Sequence, residues 1–335
     1  MLSDTESNTL INPQRIWLKK ALNSITKTDE FEVLPLVAEA SHRKFYRIQP
    51  PKNSGSYIVM ISPPKLENND RFEQYSEIFL EHQISVPKII SSDKEKGWYL
   101  ITDLGSKHLD NVYGTPAQGL GLKMAIETLI KIQQVNNSKI QPYSTERFKD
   151  ELVIFKQWFV EKWLGGVFPQ RVFTEPFNTL IENGTSQQQC CVHRDYHCRN
   201  ILFSEQSIGI VDFQDAVIGP VTYDLASLLR DCYHRFSDAE IDEGIALYKK
   251  ASVFTFEEKK FKTQFDLTAI QRQLKAIGIF ARLYLRDGKS SHMKYIDGVI
   301  EHTLDVCKKH PAMYPMVDSL KDWKIASTEK LGRIR

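Results

Sequence analysis

The run Val192 to Asp215, VHRDYHCRNILFSEQSIGIVDFQD, constrains this chain more than any other stretch, because it spaces His193, Asp195 and Asn200 ahead of a further carboxylate, Asp212. An apolar triplet, Ile201 to Phe203, leads into polar turn residues Ser204 to Ser207. A β-rich run, Ile208 to Phe213, follows, so the spacing predicts a hairpin. With the turn centred near Gln206, Phe203 pairs with Gly209, Leu202 with Ile210, Ile201 with Val211 and Asn200 with Asp212. Opposed residues on one face of such a pair have Cβ atoms about 4.5 to 5.5 Å apart. A carboxamide oxygen and a carboxylate at that separation suit a hard cation, for which Mg²⁺ is the natural candidate. Asp195, in the segment that feeds the hairpin, is placed to accept a proton from a substrate hydroxyl beside the metal.

Cys190, Cys191, His193, His197 and Cys198 crowd the same region, but their spacing matches no C-x-x-C or H-E-x-x-H pattern, so zinc is not expected. His193 is expected to be a buried histidine bracing the loop rather than a general base. His197 and Arg199 are open to secondary roles in orienting Asp195 or phosphate. Asp215 is open between an acceptor contact and a turn cap.

H-x-D-x-x-x-x-N followed by strand, turn and D-F resembles the catalytic loop and metal-binding Asp of the protein-kinase-like fold. The variant HRDYH, with Asp212-Phe213-Gln214-Asp215 in the D-F-G position, is similar to the aminoglycoside phosphotransferase superfamily. Within it, HRDYHCRN, VDFQDAVIGPVTYDLASLLRDCY and LKAIGIFARLYLRDGK look closest to the bacterial anomeric kinases of N-acetylmuramate and N-acetylglucosamine, which serve cell-wall recycling. The resemblance spans roughly residues 10 to 320. It implies an α+β, two-lobed protein-kinase-like fold: a small N-terminal antiparallel-sheet lobe that binds nucleotide, residues 1 to 103, and a larger, mainly helical lobe for catalysis and acceptor binding, residues 104 to 335. It also implies ATP and Mg²⁺ as cofactors, Asp195 as the catalytic base, and Asn200 and Asp212 as metal ligands. The expected activity is transfer of the γ-phosphoryl group of ATP to the anomeric hydroxyl of an amino sugar. A kinase of an aminoglycoside or amino alcohol, and a catalytically silent nucleotide-binding module, stay open as alternatives.

Composition agrees with a globular enzyme. Of the 335 residues 41% are hydrophobic and 44 basic residues nearly balance 42 acidic ones, which points to neither a nucleic-acid partner nor a membrane surface. No apolar run approaches the roughly 18 residues of a transmembrane helix, and the acidic, polar start MLSDTESNTL is unlike a signal peptide, so a cytoplasmic location is expected. Five cysteines, an odd number without a spaced framework, suit reduced thiols.

From the N-terminus, the pattern predicts a helix over residues 12 to 24, strands Phe31 to Ala38, Lys44 to Ile48 and Tyr57 to Ile61, and a helix over 70 to 83. The resemblance assigns the join between the first two strands, with Ser41, Arg43 and Lys44, to the nucleotide phosphates. It makes the strand from Trp98 and its end, with Leu100, Thr102, Asp103 and Leu104, the adenine-binding hinge. The chain departs from the superfamily in the third strand. Met60 occupies the position of the Lys that elsewhere meets the phosphates and a helix Glu. Glu73 and Glu77 are then expected to be solvated, with Arg43, Lys44 or Lys65 as substitutes for the missing charge.

Beyond residue 105 the pattern is helical: residues 118 to 135, 146 to 163 and 171 to 183, then Thr222 capping a helix to about Tyr233, with Asp224 complementing its dipole. Gln264 to Gly288 predicts an amphipathic helix whose Arg272, Lys275, Arg282, Arg286 and Lys289 share a stripe. The plain expectation for that stripe is a solvated face. The alternative is that Arg272 or Arg282 reaches the acceptor and pairs with a sugar carboxylate.

Overall fold

The protein's structure is a computed structural model that describes residues 9–36, 42–51 and 55–333. It contains two compact units: one takes in the chain up to Ser106 together with Gly209–Gln214, the other Lys107–Ile208 and Asp215 onward.

In the first unit, helix α1 (Asn12–Thr26) precedes strands β1 (Glu32–Leu36), β2 (Lys44–Gln49) and β3 (Tyr57–Ile61), then α2 (Asn69–Glu81), β4 (Ile89–Asp93) and β5 (Trp98–Thr102). The strands form one antiparallel sheet in the order β1-β2-β3-β5-β4. β4 was not expected, because its sequence IISSD carries turn-forming residues after only two apolar ones. Strand alternation sorts the two faces. Ile48, Val59 and Leu100 pack with Leu18 and Leu22 of α1. Met60 is paired with Phe45 and Tyr99, and Tyr99 meets Phe72 of α2 edge-on at 6.1 Å.

The second unit is mainly helical. α3 (Gln118–Gln133), α4 (Thr145–Ile154), a π-helix (Phe155–Leu164) and α5 (Gln170–Ser186) lead to strand β6 (Gln189–Val192). The loop of His193–His197 and a 3₁₀ turn (Cys198–Asn200) follow, then β7 (Ile201–Phe203), the Ser204–Ser207 turn and the first residue of β8 (Ile208–Ile210), the rest of which belongs to the first unit. The remainder is β9 (Val217–Pro220), α6 (Tyr223–Leu229), α7 (Asp238–Ala251), α8 (Glu258–Asp287), α9 (Ile296–Cys307) and α10 (Tyr314–Gly332). Among the described residues no helix is long and apolar enough to cross a membrane.

Several expectations are corrected. The helix predicted over 146 to 163 changes from α to π at Phe155, where Gly278 of α8 comes so close that a Cβ there would stand 2.6 Å from the Phe155 backbone nitrogen. Pro220 closes β9, paired with Gln189 at the end of the β6/β9 ladder, where a proline is tolerated. Thr222 does not cap α6, since its hydroxyl is bonded to Gln187 and Thr268, each at 2.8 Å. The strands flanking the Ser204–Ser207 turn are shorter than predicted, so Asn200 sits in the 3₁₀ turn and Asp212 beyond the end of β8.

Candidate functional site

The loop after β6 is held by its backbone. Asp224, wholly buried in the first turn of α6, accepts the N–H groups of His193 at 2.5 Å and Arg194 at 3.0 Å. Its role is therefore to fix the loop, beyond the dipole effect expected of it. Burial pushes its carboxyl upward, against His193 and the two N–H bonds. Asp231 does the same downstream, accepting from the Cys198 N–H at 2.9 Å and the Tyr233 N–H at 2.8 Å. Between these clamps Arg194 takes a left-handed φ of +78°, a conformation that costs a non-glycine residue energy and persists only where the surroundings dictate it. His193 is fully buried, as expected.

Behind the loop lies a buried cluster of charges. Glu151 of α4 accepts Arg194 Nη2 at 2.8 Å, Gln271 Nε2 at 2.9 Å and the Tyr143 hydroxyl, and Lys275 Nζ stands 3.2 Å away. Burial acts to raise the Glu151 pKa, but Lys275 and Arg194 outweigh it and bring it to about 2. Arg272 donates to the Arg194 carbonyl at 3.3 Å and lies over the Tyr223 ring. Thr268, Gln271, Arg272 and Lys275 are all buried and follow one another at i, i+3, i+4 and i+7, so a single stripe of α8 serves the loop and its supports.

Asp195 emerges from this arrangement. Its side chain keeps 35% of its surface exposed, with Oδ1 3.8 Å from Lys275 Nζ. Desolvation would raise its pKa; Lys275, Arg194, His197 and Arg272 lower it well below the carboxylate range, so it stays ionised. Asn200 donates its amide Nδ2 to the Asp195 carbonyl at 3.0 Å. That bond fixes the amide and leaves its oxygen as the accepting end of the group. Asp215 stands 3.9 Å from Arg194 and 4.0 Å from Arg147, half-exposed.

The expected basic stripe divides. Arg272 and Lys275 are buried against the loop rather than solvated. Arg282 lies ten residues, about 15 Å, further along α8, half-buried, with its pKa lowered by burial and by Arg286. The structure thus brings Arg272 to the loop and leaves Arg282 apart from it. Sequence reasoning missed Glu151, Arg194 and the role of Lys275. The signal for Lys275 was present in the i, i+3, i+4, i+7 run of polar residues within an otherwise apolar helix.

In the first unit, Ser41 lies outside the described residues. Arg43, almost wholly buried, donates Nε to Ser62 Oγ at 3.1 Å, stands 3.6 Å from Glu67 and lies over the Phe72 ring. Lys44 is exposed at the start of β2. Met60 is fully buried. Glu73 is not solvated as expected: it accepts the Tyr99 hydroxyl at 2.9 Å and pairs with Lys94. Leu100 packs toward α1, and Thr102 accepts the Lys88 N–H through its hydroxyl at 2.9 Å. Asp103 is held by Arg47 at 2.6 Å, Ser56 at 2.6 Å and the Gly105 N–H at 2.9 Å, and Leu104 is half-buried. At this segment the side chains are engaged within the fold, and the backbone of Leu100–Thr102 is paired with β3 and β4, with the Thr102 N–H on the Lys88 carbonyl at 3.0 Å. Asp212 takes a left-handed φ of +63° and accepts from Gln214 at 2.8 Å, while Phe213 stacks on Phe72 at 5.3 Å.

A sheet unit with one braced helix, a helical unit with an H-x-D-x-x-x-x-N loop, and a D-F pair in a strained turn define a kinase-like phosphotransferase. The fold agrees: an ethanolamine kinase from Plasmodium vivax superposes with a TM-score of 0.63 at 11% identity, covering 89% of this chain and 85% of that one. The model of the phosphotransferase enzyme family matches residues 32–260, and the chain belongs to that family. It is 30% identical to an N-acetylmuramate/N-acetylglucosamine kinase from Pseudomonas putida over 89% of this chain and 92% of the relative. A protein of the same name from Pseudomonas aeruginosa is 32% identical over 78% of this chain and 80% of its own length.

Proposed function

We propose that this chain is an ATP-dependent sugar kinase that phosphorylates the anomeric C1 hydroxyl of N-acetylmuramate, N-acetylglucosamine or both, in the cytoplasm, as a step in peptidoglycan recycling. The observation that carries the reading is Asp195: a partly exposed, ionised carboxylate on a loop clamped by Asp224 and Asp231 and backed by Lys275. The similarity to the Pseudomonas kinases over nearly the whole chain supports the choice of acceptor.

In this mechanism the acceptor oxygen attacks the γ-phosphorus, its proton passes to Asp195, and ADP leaves with the electron pair of the broken P–O bond. Cations lower the basicity of Asp195. An anomeric hydroxyl, more acidic than an ordinary sugar alcohol, asks less of such a base. The same cations would repel a polycationic aminoglycoside. The N-terminal unit is assigned to the nucleotide, with Arg43, Lys44 and the 41–44 join serving phosphates and the backbone of 100–104 serving adenine. Asn200 and Asp212, an amide oxygen and a carboxylate, are the donors that suit Mg²⁺, which when bound offsets phosphate charge.

The test is ³¹P NMR after incubation with Mg-ATP and each sugar in turn. A sugar 1-phosphate signal coupled to the anomeric proton is expected. Silence with both sugars, in protein that still binds ATP, would transfer the reading to another small-molecule acceptor.

A further inference from the structure

We infer that Arg199 distinguishes an acidic amino sugar from a neutral one by receiving the carboxylate that only the acidic sugar carries. The inference rests on the sugar-kinase reading above. N-acetylmuramate differs from N-acetylglucosamine by a lactyl ether bearing a carboxylate, remote from the C1 hydroxyl, so a cation set apart from Asp195 on the same loop suffices to tell them apart.

The cations that surround Asp195 are unequal in access. Arg194, Arg272 and Lys275 are each more than nine-tenths buried and are bonded to Glu151 or to the loop backbone. A ligand carboxylate could reach them only by dismantling the support of the loop. Arg199 is half-exposed on the 3₁₀ turn, between Asp195 and Asn200. Its guanidinium lies 3.8 Å over the Tyr233 ring and donates to the Tyr295 hydroxyl at 2.6 Å.

The two tyrosines meet edge to face at 5.1 Å, and Tyr233 meets His197 at 5.2 Å. Both rings are half-buried, which makes a platform with apolar faces and polar tips, suited to a pyranose. Asn200 Nδ2 stands 3.0 Å from the Asp195 carbonyl and 3.4 Å from Nε2 of the same His197 that meets Tyr233, so the platform adjoins the loop that carries Asp195. A guanidinium already fixed in plane can meet a carboxylate with little further ordering cost.

The test compares kcat/KM for N-acetylmuramate with that for N-acetylglucosamine in wild type, Arg199→Met and Arg199→Lys. The acid-to-neutral ratio is expected to fall at least tenfold in Arg199→Met and by less in Arg199→Lys, through a rise in KM for the acidic sugar. Should Arg199→Met not fold, Tyr295→Phe, which removes only the brace, is expected to lower the ratio in the same direction. Proportional losses with both sugars, leaving the ratio fixed, would overturn the inference, as would a wild-type protein that uses only the neutral sugar. Wild-type inactivity with both sugars would overturn the inference together with the amino-sugar reading on which it rests.

Discussion

The two units stabilise their most engaged glutamates in opposite ways. Glu73 of α2 is held at the edge of an apolar sheet by a phenol and by Lys94, whose own side chain is 66% exposed. Glu151 of α4 is held in the interior by Arg194 and Lys275, both more than nine-tenths buried. Charge in the first unit is spread over separate pairs, Arg43 with Glu67 and Arg47 with Asp103 besides Lys94 with Glu73, and Met60 fills the strand centre where a Lys is usual in the superfamily. Charge in the second unit is interior and sets the geometry of the loop that carries Asp195. Buried charges earn little net stability, but they tolerate few arrangements, so their value lies in specifying one. That contrast puts geometric precision in the unit that carries Asp195; on the proposed reading, the cation that meets the phosphates lies outside the third strand.

Four substitutions sharpen or break this contrast. The largest effect is expected from Asp195→Asn, which should lower turnover by about 10² to 10⁴, the usual range for a general base, with ATP binding retained. Near-wild-type turnover would sink the assignment. Glu151→Gln leaves two buried cations uncompensated and is expected to cost about 3 to 5 kcal/mol in urea unfolding. The Glu151 pKa is depressed from 4.5 to about 2, so its contribution is present above pH 4.5 and lost as pH falls toward 2. Stability measured between those limits should fall with pH in the wild type and less steeply in Glu151→Gln; equal slopes would show that the cluster does not act through this carboxylate. Arg43→Met is expected to raise the Kd for Mg-ATP about tenfold, roughly 1.4 kcal/mol, by calorimetry. An unchanged Kd would assign the missing strand charge to another residue. The smallest change is Tyr99→Phe, which removes one hydrogen bond to Glu73 and should cost about 1 kcal/mol of stability.

The second unit's centre was more legible in the sequence than the first's, and the reason is physical. Asp195 and Asn200 lie within one short loop, so their spacing alone nearly fixes their relation, and His193 followed as a buried brace. Glu151, Arg194 and Lys275 come from three separated segments, and only the packing of α4 against α8 brings them together. Arg272 stayed open between a solvated stripe and an acceptor contact because a helical wheel shows which residues share a face but not whether the face meets water. β4 escaped because Ser91, Ser92 and Asp93 resemble a turn, and only pairing with β5 makes them a strand. In the first unit Asp103 looked available for a ligand, while Arg47 and Ser56, which occupy it, lie more than forty residues earlier in the chain.

Gly278 has a consequence for tuning the enzyme. A helix advances about 1.5 Å and turns about 100° with each residue. The near-contact of Gly278 with the Phe155 backbone therefore works as an indexing notch, locking both the rotation and the axial setting of α8. Lys275 and Arg272 lie within two turns of that notch, so a side chain at position 278 would displace them together. A substitution with no access to substrate could thus mis-set Asp195, and variants that lose activity without touching the loop are to be sought there first.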